Sequence, residues 1–414
     1  MGSNNKGGLL GASDQLRIPD APTISATAGN TQIEVAFTNP SDVGGSAISS
    51  YTAIAQEGGN ATTASGSTTP VTITGLSNGT SYSVTGTANN DFGASFQSSA
   101  SSVTPIAPFG GGTAGLFYGG EGQIVHGITI ASTGNAEDFG DPHSNNVYYG
   151  GSCASSTRAV FVGGANGSVW DIIEYYTFAT KGNGTDFGDM TVAAYGLNNG
   201  LVSNSTRGVY QFGRHYFGGY AYDNRIEYIT IASPGNATDF GDMGTLKFWG
   251  AGCTSTTRGI FAGGTNDGSL SSATTNISYI TIASTGNSTN FGSLNDIYGL
   301  VNFTGASSNT RGIFFGGRND NTGSGGGRDA MLYITIASTG NSSDFGDLSS
   351  ASRFNAATGS STRAVCAIGS NGSSNVNTLE YVTIASTGNA TDFGDLTSHF
   401  NGGAAASQVH GGLS

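Results

Sequence analysis

The residues of this chain whose chemistry stands out are aspartate pairs that recur with one fixed spacing. Asp-Phe-Gly-Asp occurs five times, and in a sixth copy both acids change together, to Asn290 and Ser293. Two nearby carboxylates can act as acid and base in glycoside hydrolysis, or they can ligate calcium. A catalytic pair would not need five copies, and the spacing is sparse for a calcium loop. The pairs are Asp138 and Asp141, Asp186 and Asp189, Asp239 and Asp242, Asp344 and Asp347, and Asp392 and Asp395.

Three interpretations of these acids stay open from the sequence. The favoured one is a turn on a solvated edge, because Asp can bond the backbone two residues on and Gly can adopt a positive φ. The second is an ion pair with an arginine that recurs once per copy, although Arg311 persists beside the copy that lost its acids. The third is calcium binding. The recurring arginines are Arg158, Arg207, Arg258, Arg311 and Arg363.

The acids belong to a phrase that the chain writes six times after residue 120, typified by EYITIASPGNATDFGDM at residues 227–243. Each unit also has a second phrase, such as TTRGIFAGG at residues 256–264. A period of about 50 residues with about four short strands indicates a β-propeller blade. The long phrase then holds a third strand, a hairpin turn at STGN and an outer segment. One aromatic residue per unit is predicted to be blade core: Tyr149, Tyr195, Trp249, Tyr298, Phe354 and Phe400.

The second phrase, with Phe before a Gly pair and an Ile-Glu-Tyr strand after it, resembles the kelch repeat. The resemblance implies that the Gly pair ends the second strand near the propeller axis, and the Phe of Asp-Phe-Gly-Asp replaces the downstream Trp of that family. Residues 113–120 (TAGLFYGG) form a second-strand phrase without a first strand, and the C-terminal HFNGGAAASQVH is a first-strand phrase cut short. We therefore expect a six-bladed propeller at 108–414 in which one blade combines both ends.

Residues 18–107 have a different alternating pattern, which resembles a fibronectin type III domain. The resemblance rests on the opening PDAP, on Pro40 followed by DVGGSAISSY, and on ITGLSNGTSYSVTGTANN, where Tyr82 lies at the tyrosine corner. Phe37 stands where that family usually has Trp. The chain is therefore predicted to be all-β. Residues 1–17 are polar and Gly-rich, and we expect them to form a flexible docking arm.

The composition of the chain limits the classes of partner that it could bind. The net charge is −13 with three lysines, which argues against nucleic acid and anionic membrane surfaces and leaves uncharged sugars open. No stretch approaches transmembrane length, so membrane insertion is not expected. Cys153, Cys253 and Cys366 read as small buried strand residues and not as a disulfide frame or metal site. We expect no cofactor, no metal and no catalytic residues.

The loops between the second and third strands vary freely, while the turns on the other face are nearly uniform. Divergent loops on a uniform scaffold are typical of a binding surface. Aromatic residues in these loops can stack on sugar faces, or else pack against the neighbouring blade. The candidate ligand-binding residues are Trp170, His215, Tyr216, Phe217, Tyr220 and Tyr222.

The fibronectin-like module and the Gly/Ser/Thr/Asn-rich repeats together resemble structural proteins of tailed bacteriophages, in the style of marine phage fibre, baseplate and capsid-decoration proteins. The resemblance implies a non-enzymatic virion appendage assembled in the host cytoplasm, which fits the lack of an ordinary export signal. Its arm would dock to other virion proteins, its propeller would bind host surface polysaccharide, and oligomers remain open. The alternatives are a secreted bacterial adhesin at the cell surface and a propeller glycan hydrolase or lyase.

Overall fold

A computed structural model describes residues 16–29, 31–105, 113–122, 124–143, 148–197, 201–216, 220–319 and 326–413. These residues form strands β1–β35 and one short 3-10 helix, Leu270–Ser272. The chain divides into two compact units, residues 1–108 and 109–414. Within the described ranges, no helix has the length and apolarity to span a membrane.

The first unit is a sandwich of two antiparallel sheets. One sheet has the order β1-β2-β5, and the other has the order β4-β3-β6-β7 with β8 also paired to β6. The strands are β1 (Thr23–Gly29), β2 (Gln32–Thr38), β3 (Ser50–Glu57), β4 (Asn60–Gly66), β5 (Val71–Thr74), β6 (Tyr82–Asn90), β7 (Gly93–Ala94) and β8 (Ser101–Val103).

The core of the sandwich follows from the alternation in these strands. Ile33 and Val35 on β2 and Val84 on β6 are fully buried, with polar neighbours facing outward. Phe37 stacks on Tyr51 with ring centroids 4.8 Å apart. The hydroxyl of Tyr82 accepts a hydrogen bond from the backbone N–H of Ser77 at 3.0 Å, which is the tyrosine corner that the sequence predicts. Arg17, predicted to lie in the arm, pairs with Asp42 of the sandwich at 2.6 Å.

The second unit contains six four-stranded antiparallel sheets, here called blades I to VI. Blade I combines β9 (Ala114–Tyr118), β10 (Val125–Thr129) and β11 (Glu137–Gly140) with β35 (Ala404–Ser407). Blade II has β12 (Gly151–Ala154), β13 (Arg158–Asn166), β14 (Ser168–Thr177) and β15 (Thr185–Asp189). Blade III has β17 (Leu201–Ser203), β18 (Arg207–Gln211), β21 (Arg225–Thr230) and β22 (Thr238–Asp242).

Blades IV to VI continue the pattern. Blade IV has β23 (Ala251–Thr254), β24 (Arg258–Ala262), β25 (Asn276–Thr281) and β26 (Thr289–Ser293). Blade V has β27 (Thr304–Ser307), β28 (Arg311–Phe315), β29 (Arg328–Thr335) and β30 (Ser343–Ser352). Blade VI has β31 (Ala356–Gly359), β32 (Arg363–Ala367), β33 (Val376–Thr383) and β34 (Thr391–Phe400). A small extra sheet has the order β16-β19-β20, with β16 (Ala194–Tyr195), β19 (Arg214–Tyr216) and β20 (Tyr220–Tyr222). In the chain, β16 comes just before blade III, and β19 and β20 lie between its second and third strands.

The first strand of each blade is short and made largely of small residues, such as AGCT in β23 and AAAS in β35. Small residues let these strands approach each other closely, and side-chain hydroxyls join them: Ser307 Oγ donates to the carbonyl of Thr254, and Ser152 Oγ donates to the carbonyl of Ala405. The second and third strands carry β-branched and aromatic residues that fill the space between blades.

The phrase Asp-Phe-Gly-Asp lies in the fourth strand, so the expectation of a turn there is wrong. In blade III, Ile226 pairs with Gly241 and Glu227 with Asp239, leaving Phe240 as the extra residue of a β-bulge. The bulge turns Phe240 into the core, where it is 2% exposed, and leaves the flanking acids exposed. These acids therefore solvate the outer strand, which is the part of the interpretation that the structure retains.

The repeated phrase also joins neighbouring blades at their outer edge, here called the rim. The Gly of each STGN-type turn donates its N–H to the carbonyl of the bulged Phe in the preceding blade, at 2.7 to 2.9 Å. The Gly after each bulged Phe is called the bulge Gly. The Asn that follows the turn Gly accepts, through Oδ1, a hydrogen bond from the N–H of the residue after the bulge Gly, as from Asp242 to Asn287 at 3.0 Å. The same contacts join blades VI and I, from Gly134 to Phe393 and from Asp395 to Asn135.

The repeated arginines do not pair with these acids in the structure. In blade III, the guanidinium of Arg207 lies 4.3 Å from the ring centre of Tyr228 and donates a hydrogen bond to the carbonyl of Ile282 in blade IV. All five arginines repeat this pattern, and Arg363 of blade VI reaches Ile130 of blade I. The recurring arginine is thus a link between blades.

Buried carboxylates form a further link that sequence reasoning did not single out. Glu227 on β21 is fully buried and accepts hydrogen bonds from the hydroxyls of Tyr210 and Thr191, the second of which belongs to blade II. Glu174 and Glu380 occupy the same position in blades II and VI and bond His143 and Ser349 of the blades before them. Their place in the Ile-Glu-Tyr phrase was the available signal, because a charge between two apolar residues in a buried strand needs partners.

Candidate ligand-binding site at the hub

The hub ring is a set of six residues, one per blade, that lie just before the first strands. Each donates its N–H to the carbonyl of the preceding member, and the last bond returns to the first, with N···O distances of 2.5 to 3.0 Å. All six have φ between +56° and +75°, in the left-handed region. The members are Tyr149, Gly196, Trp249, Asn302, Phe354 and Gly402.

Two members are Gly, which adopts this conformation without strain. A Cβ on Gly196 would lie 1.9 Å from the ring of Phe248, and one on Gly402 would lie 2.5 Å from the ring of Tyr149. The Gly positions therefore make room for aromatic side chains. Tyr149, Trp249 and Phe354 hold the same backbone conformation with bulky side chains, at a cost of about 1–2 kcal/mol each.

Two arginines lie among these rings. Arg318 stands 5.6 Å from the ring centre of Trp249 and 5.7 Å from that of Phe354, and its Nε donates to Asn302 Oδ1 at 2.8 Å. Arg353 lies 5.4 Å from the ring centre of Phe354. The ring centre of Tyr149 lies 5.6 Å from that of Phe354. Tyr149, Trp249, Phe354, Arg318 and Arg353 are here called the hub cluster. The three rings and both arginines are half-buried, so part of each surface faces outward.

The electrostatics of the hub cluster reflect this partial burial. Burial, followed by the neighbouring charge of Arg353, lowers the pKa of Arg318. Burial raises the pKa of Tyr149, so its hydroxyl stays neutral near pH 7. Arginine side chains carry a positive charge in proteins at neutral pH. The hub therefore combines a fixed positive charge with flat apolar faces.

The expectation that one aromatic per unit forms blade core is corrected by these positions. Phe400 is fully buried, but Tyr149, Trp249 and Phe354 surround the hub. Tyr298 is 42% exposed, and Asn302 takes the hub-ring position in blade V. The sequence signal that could have located the ring is the alternation of Gly with aromatic residues at one repeat position, which suggests a left-handed backbone.

Part of the predicted aromatic loop lies beside the hub. Tyr222 packs edge-on against Phe248 at 5.4 Å, and Phe248 stacks on Trp249 at 4.2 Å. The Tyr222 hydroxyl donates to the carbonyl of Asp267 at 2.6 Å. His215 on β19 is half-buried, with Nε2 3.8 Å from Asp223 Oδ2.

The other predicted residues divide into three cases. Tyr216 and Tyr220 pair with each other across strands β19 and β20, and only their backbone is described. Phe217 lies outside the described residues. Trp170 on β14 is half-buried against the cluster that includes Tyr118 of blade I and Phe161 of blade II. The structure therefore groups Tyr222 with the hub and places Trp170 at a blade interface.

Beneath the hub, the first strands surround a cavity of about 60 Å³. The C-terminal segment fills the far end of this channel, where the first strands finish. His410 Nε2 lies 2.9 Å from the carbonyl of Ala154 and 3.2 Å from Ser203 Oγ, while its Nδ1 accepts the N–H of Gly412. Burial lowers the pKa of His410 to about 4, so the ring is neutral at pH 7. The C-terminal segment therefore closes the end of the channel that lies away from the hub ring.

Metal binding and nucleophilic chemistry both depend on how the His, Cys, Asp and Glu side chains are grouped. Over the described ranges, no three His, Cys, Asp or Glu side chains come close enough to hold a metal ion. Cys153, Cys253 and Cys366 are buried and unpaired in disulfides, and burial raises the pKa of each thiol. A thiol with a raised pKa is a poor nucleophile, so the cysteines serve packing.

Comparisons with known proteins agree with both units. Residues 18–104 match the fibronectin type III domain family and form such a domain. The solved structure of YjhT, a kelch-like propeller protein, is similar with a TM-score of 0.54 and 9% sequence identity, over 66% of this chain and 92% of that chain. This likeness shows a β-propeller fold and carries no function. A search of curated protein sequences found no significant match.

Proposed function

We propose that this protein is a non-enzymatic attachment module whose propeller binds saccharides at the hub. In this proposal the six blades form one closed ring, and the ring is carried by a virion appendage that contacts host surface polysaccharide. The closed ring would hold the hub residues in place, and the hub residues would bind the saccharide.

Three sets of contacts support a closed six-bladed ring. β35, near the C-terminus, pairs with β9 of blade I from Ala404 opposite Tyr118 to Ser407 opposite Gly115. The hub ring returns from Gly402 to Tyr149, and the rim contacts return from blade VI to blade I through Asn135 and Asp395. Pairing the two ends removes two exposed sheet edges, which would otherwise favour aggregation.

The observation that carries the binding proposal is the presence of Tyr149, Trp249 and Phe354 at strained hub-ring positions. The same backbone position holds Gly in blades I and III, so the fold does not require an aromatic residue there. Strained conformations persist where the side chain has a use, and they cluster at ligand sites. Half-exposed flat rings beside hydrogen-bond donors are typical of saccharide sites, because the apolar face of a sugar stacks on a ring.

The virion setting rests on the style of the sequence and on the two-unit organisation. A fibronectin type III domain followed by a binding propeller suits an appendage in which one unit spaces and the other recognises. Residues 1–17 would provide docking to other virion proteins, although residues 1–15 lie outside the described ranges. Immunogold electron microscopy of purified particles tests this setting, because label on a tail or capsid supports it and unlabelled particles contradict it.

Binding is tested with the full chain on a panel of bacterial surface polysaccharides. Trp249→Gly and Phe354→Gly each remove a hub ring while installing the residue that blades I and III already use. We expect at least about ten-fold weaker binding for each variant, the order expected when a contact of about 1.4 kcal/mol is lost.

Phe96→Ala is the matched control, since Phe96 is an aromatic residue 80% exposed on the fibronectin type III domain. This control should bind like the native chain. Unchanged binding by both Gly variants would refute the hub as the site, and the absence of binding to every polysaccharide would refute the proposed function.

A further inference from the structure

Positive charge is concentrated where the hub rings are. Of the chain's 14 basic residues, Arg318 and Arg353 stack on Trp249 and Phe354 within the hub cluster. A third, Arg214, stacks on Tyr222 at 5.6 Å and donates to the Tyr195 hydroxyl at 2.8 Å, in the hairpin beside the hub. The recurring arginines, by contrast, lie between blades and serve the fold.

The two hub arginines act on each other electrostatically. The guanidinium carbons of Arg318 and Arg353 lie 5.7 and 5.4 Å from the centre of the same Phe354 ring, and the charge of Arg353 contributes to the lowered pKa of Arg318. Repulsion between half-buried cations is screened less than it is in open water. The chain as a whole carries a net charge of −13, so the hub is a local positive region on an acidic protein. An anion placed between the two groups would relieve their repulsion.

The hub also holds hydrogen-bond donors that carry no charge. Among the described residues, the buried atoms Trp249 Nε1 and Asn302 Nδ2 have no hydrogen-bond partner, while Asn302 Oδ1 is already used by Arg318. Guanidinium, indole N–H and amide N–H groups match an acceptor-only ligand group such as a carboxylate or a sulfate. A sugar hydroxyl can use the same donors but gains less from a guanidinium group, because it carries no charge.

We propose that the hub binds an anionic saccharide, with its carboxylate or sulfate against Arg318 and Arg353 and a sugar face on Trp249 or Phe354. This inference rests on the proposed function and names its ligand class. It also refines the expectation of uncharged sugars drawn from the net charge, because the repeated Asp pairs lie on the outer strands whereas Arg318 and Arg353 lie at the hub. The fixed planar guanidinium groups suit oxyanion recognition better than lysine would.

Two probe pairs isolate the charge. Oligogalacturonide is compared with its methyl ester, which keeps the sugar and removes the carboxylate charge. Carrageenan oligosaccharide is compared with its desulfated form, which separates sulfate from carboxylate. We expect the native chain to bind at least one charged probe about ten-fold or more tighter than its neutral partner, with affinity falling as salt rises.

The variants are Arg318→Gln and Arg353→Gln, with Lys181→Gln as the control of equal charge change. Lys181 lies on the rim, where its Nζ pairs with Glu137 at 2.7 Å. Each arginine variant should lower the ratio of charged-probe affinity to neutral-probe affinity by about ten-fold or more, and the lysine variant should keep the native ratio. Thermal unfolding of both arginine variants separates a lost contact from a lost fold.

The outcomes distinguish this inference from the proposed function. Equal binding of charged and neutral probes, or equal loss in the lysine variant, overturns the anionic ligand and leaves saccharide binding in place. Binding of neutral polysaccharides alone does the same. No binding of any saccharide overturns both.

Discussion

The rim and the hub repeat one backbone arrangement per blade, but they fill it differently. At the rim, the bulge Gly faces the turn Gly of the next blade in all six copies, and an Asn follows that turn Gly each time. At the hub, the six equivalent positions hold Tyr, Gly, Trp, Asn, Phe and Gly. The six blades therefore share both the backbone conformation and the residue types at the rim. At the hub they share the backbone conformation but not the residue types.

This difference separates two uses of repetition. Rim residues recognise the neighbouring copy of the same phrase, so a change in one blade must suit the blade beside it. Hub side chains extend from a ring whose hydrogen bonds are entirely backbone, so the side chains can vary without breaking it. Variation between the copies is therefore concentrated at the hub. Four substitutions sharpen or break this comparison.

The largest effect is expected at the rim, for Gly241→Ala. The new Cβ would lie 2.6 Å from the backbone of Gly286, so blades III and IV must separate. Separation weakens the contacts from Gly286 to Phe240 and from Ser288 to Asp242, and we expect a loss of about 3–4 kcal/mol in urea unfolding. Gly235→Ala is the matched control in the same phrase, because its Cβ meets nothing within 4 Å. Equal destabilisation by both would show that the rim does not depend on close backbone approach.

The second largest effect on stability is expected at His410, which lies in the channel beneath the hub. Its pKa is about 4 in the folded chain and about 6.5 when unfolded, so between these values only the unfolded chain takes up the proton. Stability contributed by the neutral ring is therefore present above pH 6.5 and lost as pH falls toward 4, by about 3 kcal/mol. Unfolding measured at pH 7 and pH 4 should show a smaller difference in His410→Gln than in the native chain. The same pH difference in both proteins would mean that the C-terminal segment does not hold His410 in the channel.

A smaller loss is expected for Glu227→Gln at the interface of blades II and III. The carboxylate accepts from Tyr210 and Thr191, whereas an amide has one acceptor and would place N–H against a donor. We expect about 2 kcal/mol of destabilisation in urea unfolding at pH 7. Glu137→Gln, at an exposed rim position paired with Lys181, should change stability by less than about 0.5 kcal/mol. If Glu227→Gln left stability unchanged, the interface between blades II and III would depend on its apolar contacts alone.

The smallest stability change is expected at the hub, for Phe354→Gly. Gly relieves the left-handed strain and also loosens the unfolded chain, and the two effects nearly offset, so stability should stay within about 1 kcal/mol of the native value. Calorimetric unfolding gives this number, and the binding assay gives the expected ten-fold loss. A large destabilisation would show that the ring is structural, and the contrast between rim and hub would then disappear.

The fibronectin type III domain and the blades were within reach of the sequence. Tyr82 and the alternation around Ile33 predict the sandwich because burial in a sheet has a period of two. The period near 50 residues predicts the blades because each unit must bury its faces against a neighbour. Both signals are local, and each can be read without knowing which residues meet in space.

The hub cluster was not within reach for the opposite reason. Arg318, Phe354 and Tyr149 come from different blades, and their contacts depend on how the hub ring brings the inner strand ends together. The bulge in Asp-Phe-Gly-Asp was missed as well, because Gly after an aromatic residue fits a turn equally well until the partner strand is known.

The sequence by itself determined that this protein repeats, what each unit buries, and which residues serve the repeat. The tertiary structure alone decided that Trp249 and Phe354 lie on either side of Arg318, and that the recurring arginines link blades instead of neutralising the acids. The physical reason is distance along the chain: strand and turn chemistry act over a few residues, whereas the hub joins residues about 50 apart through a ring of backbone hydrogen bonds.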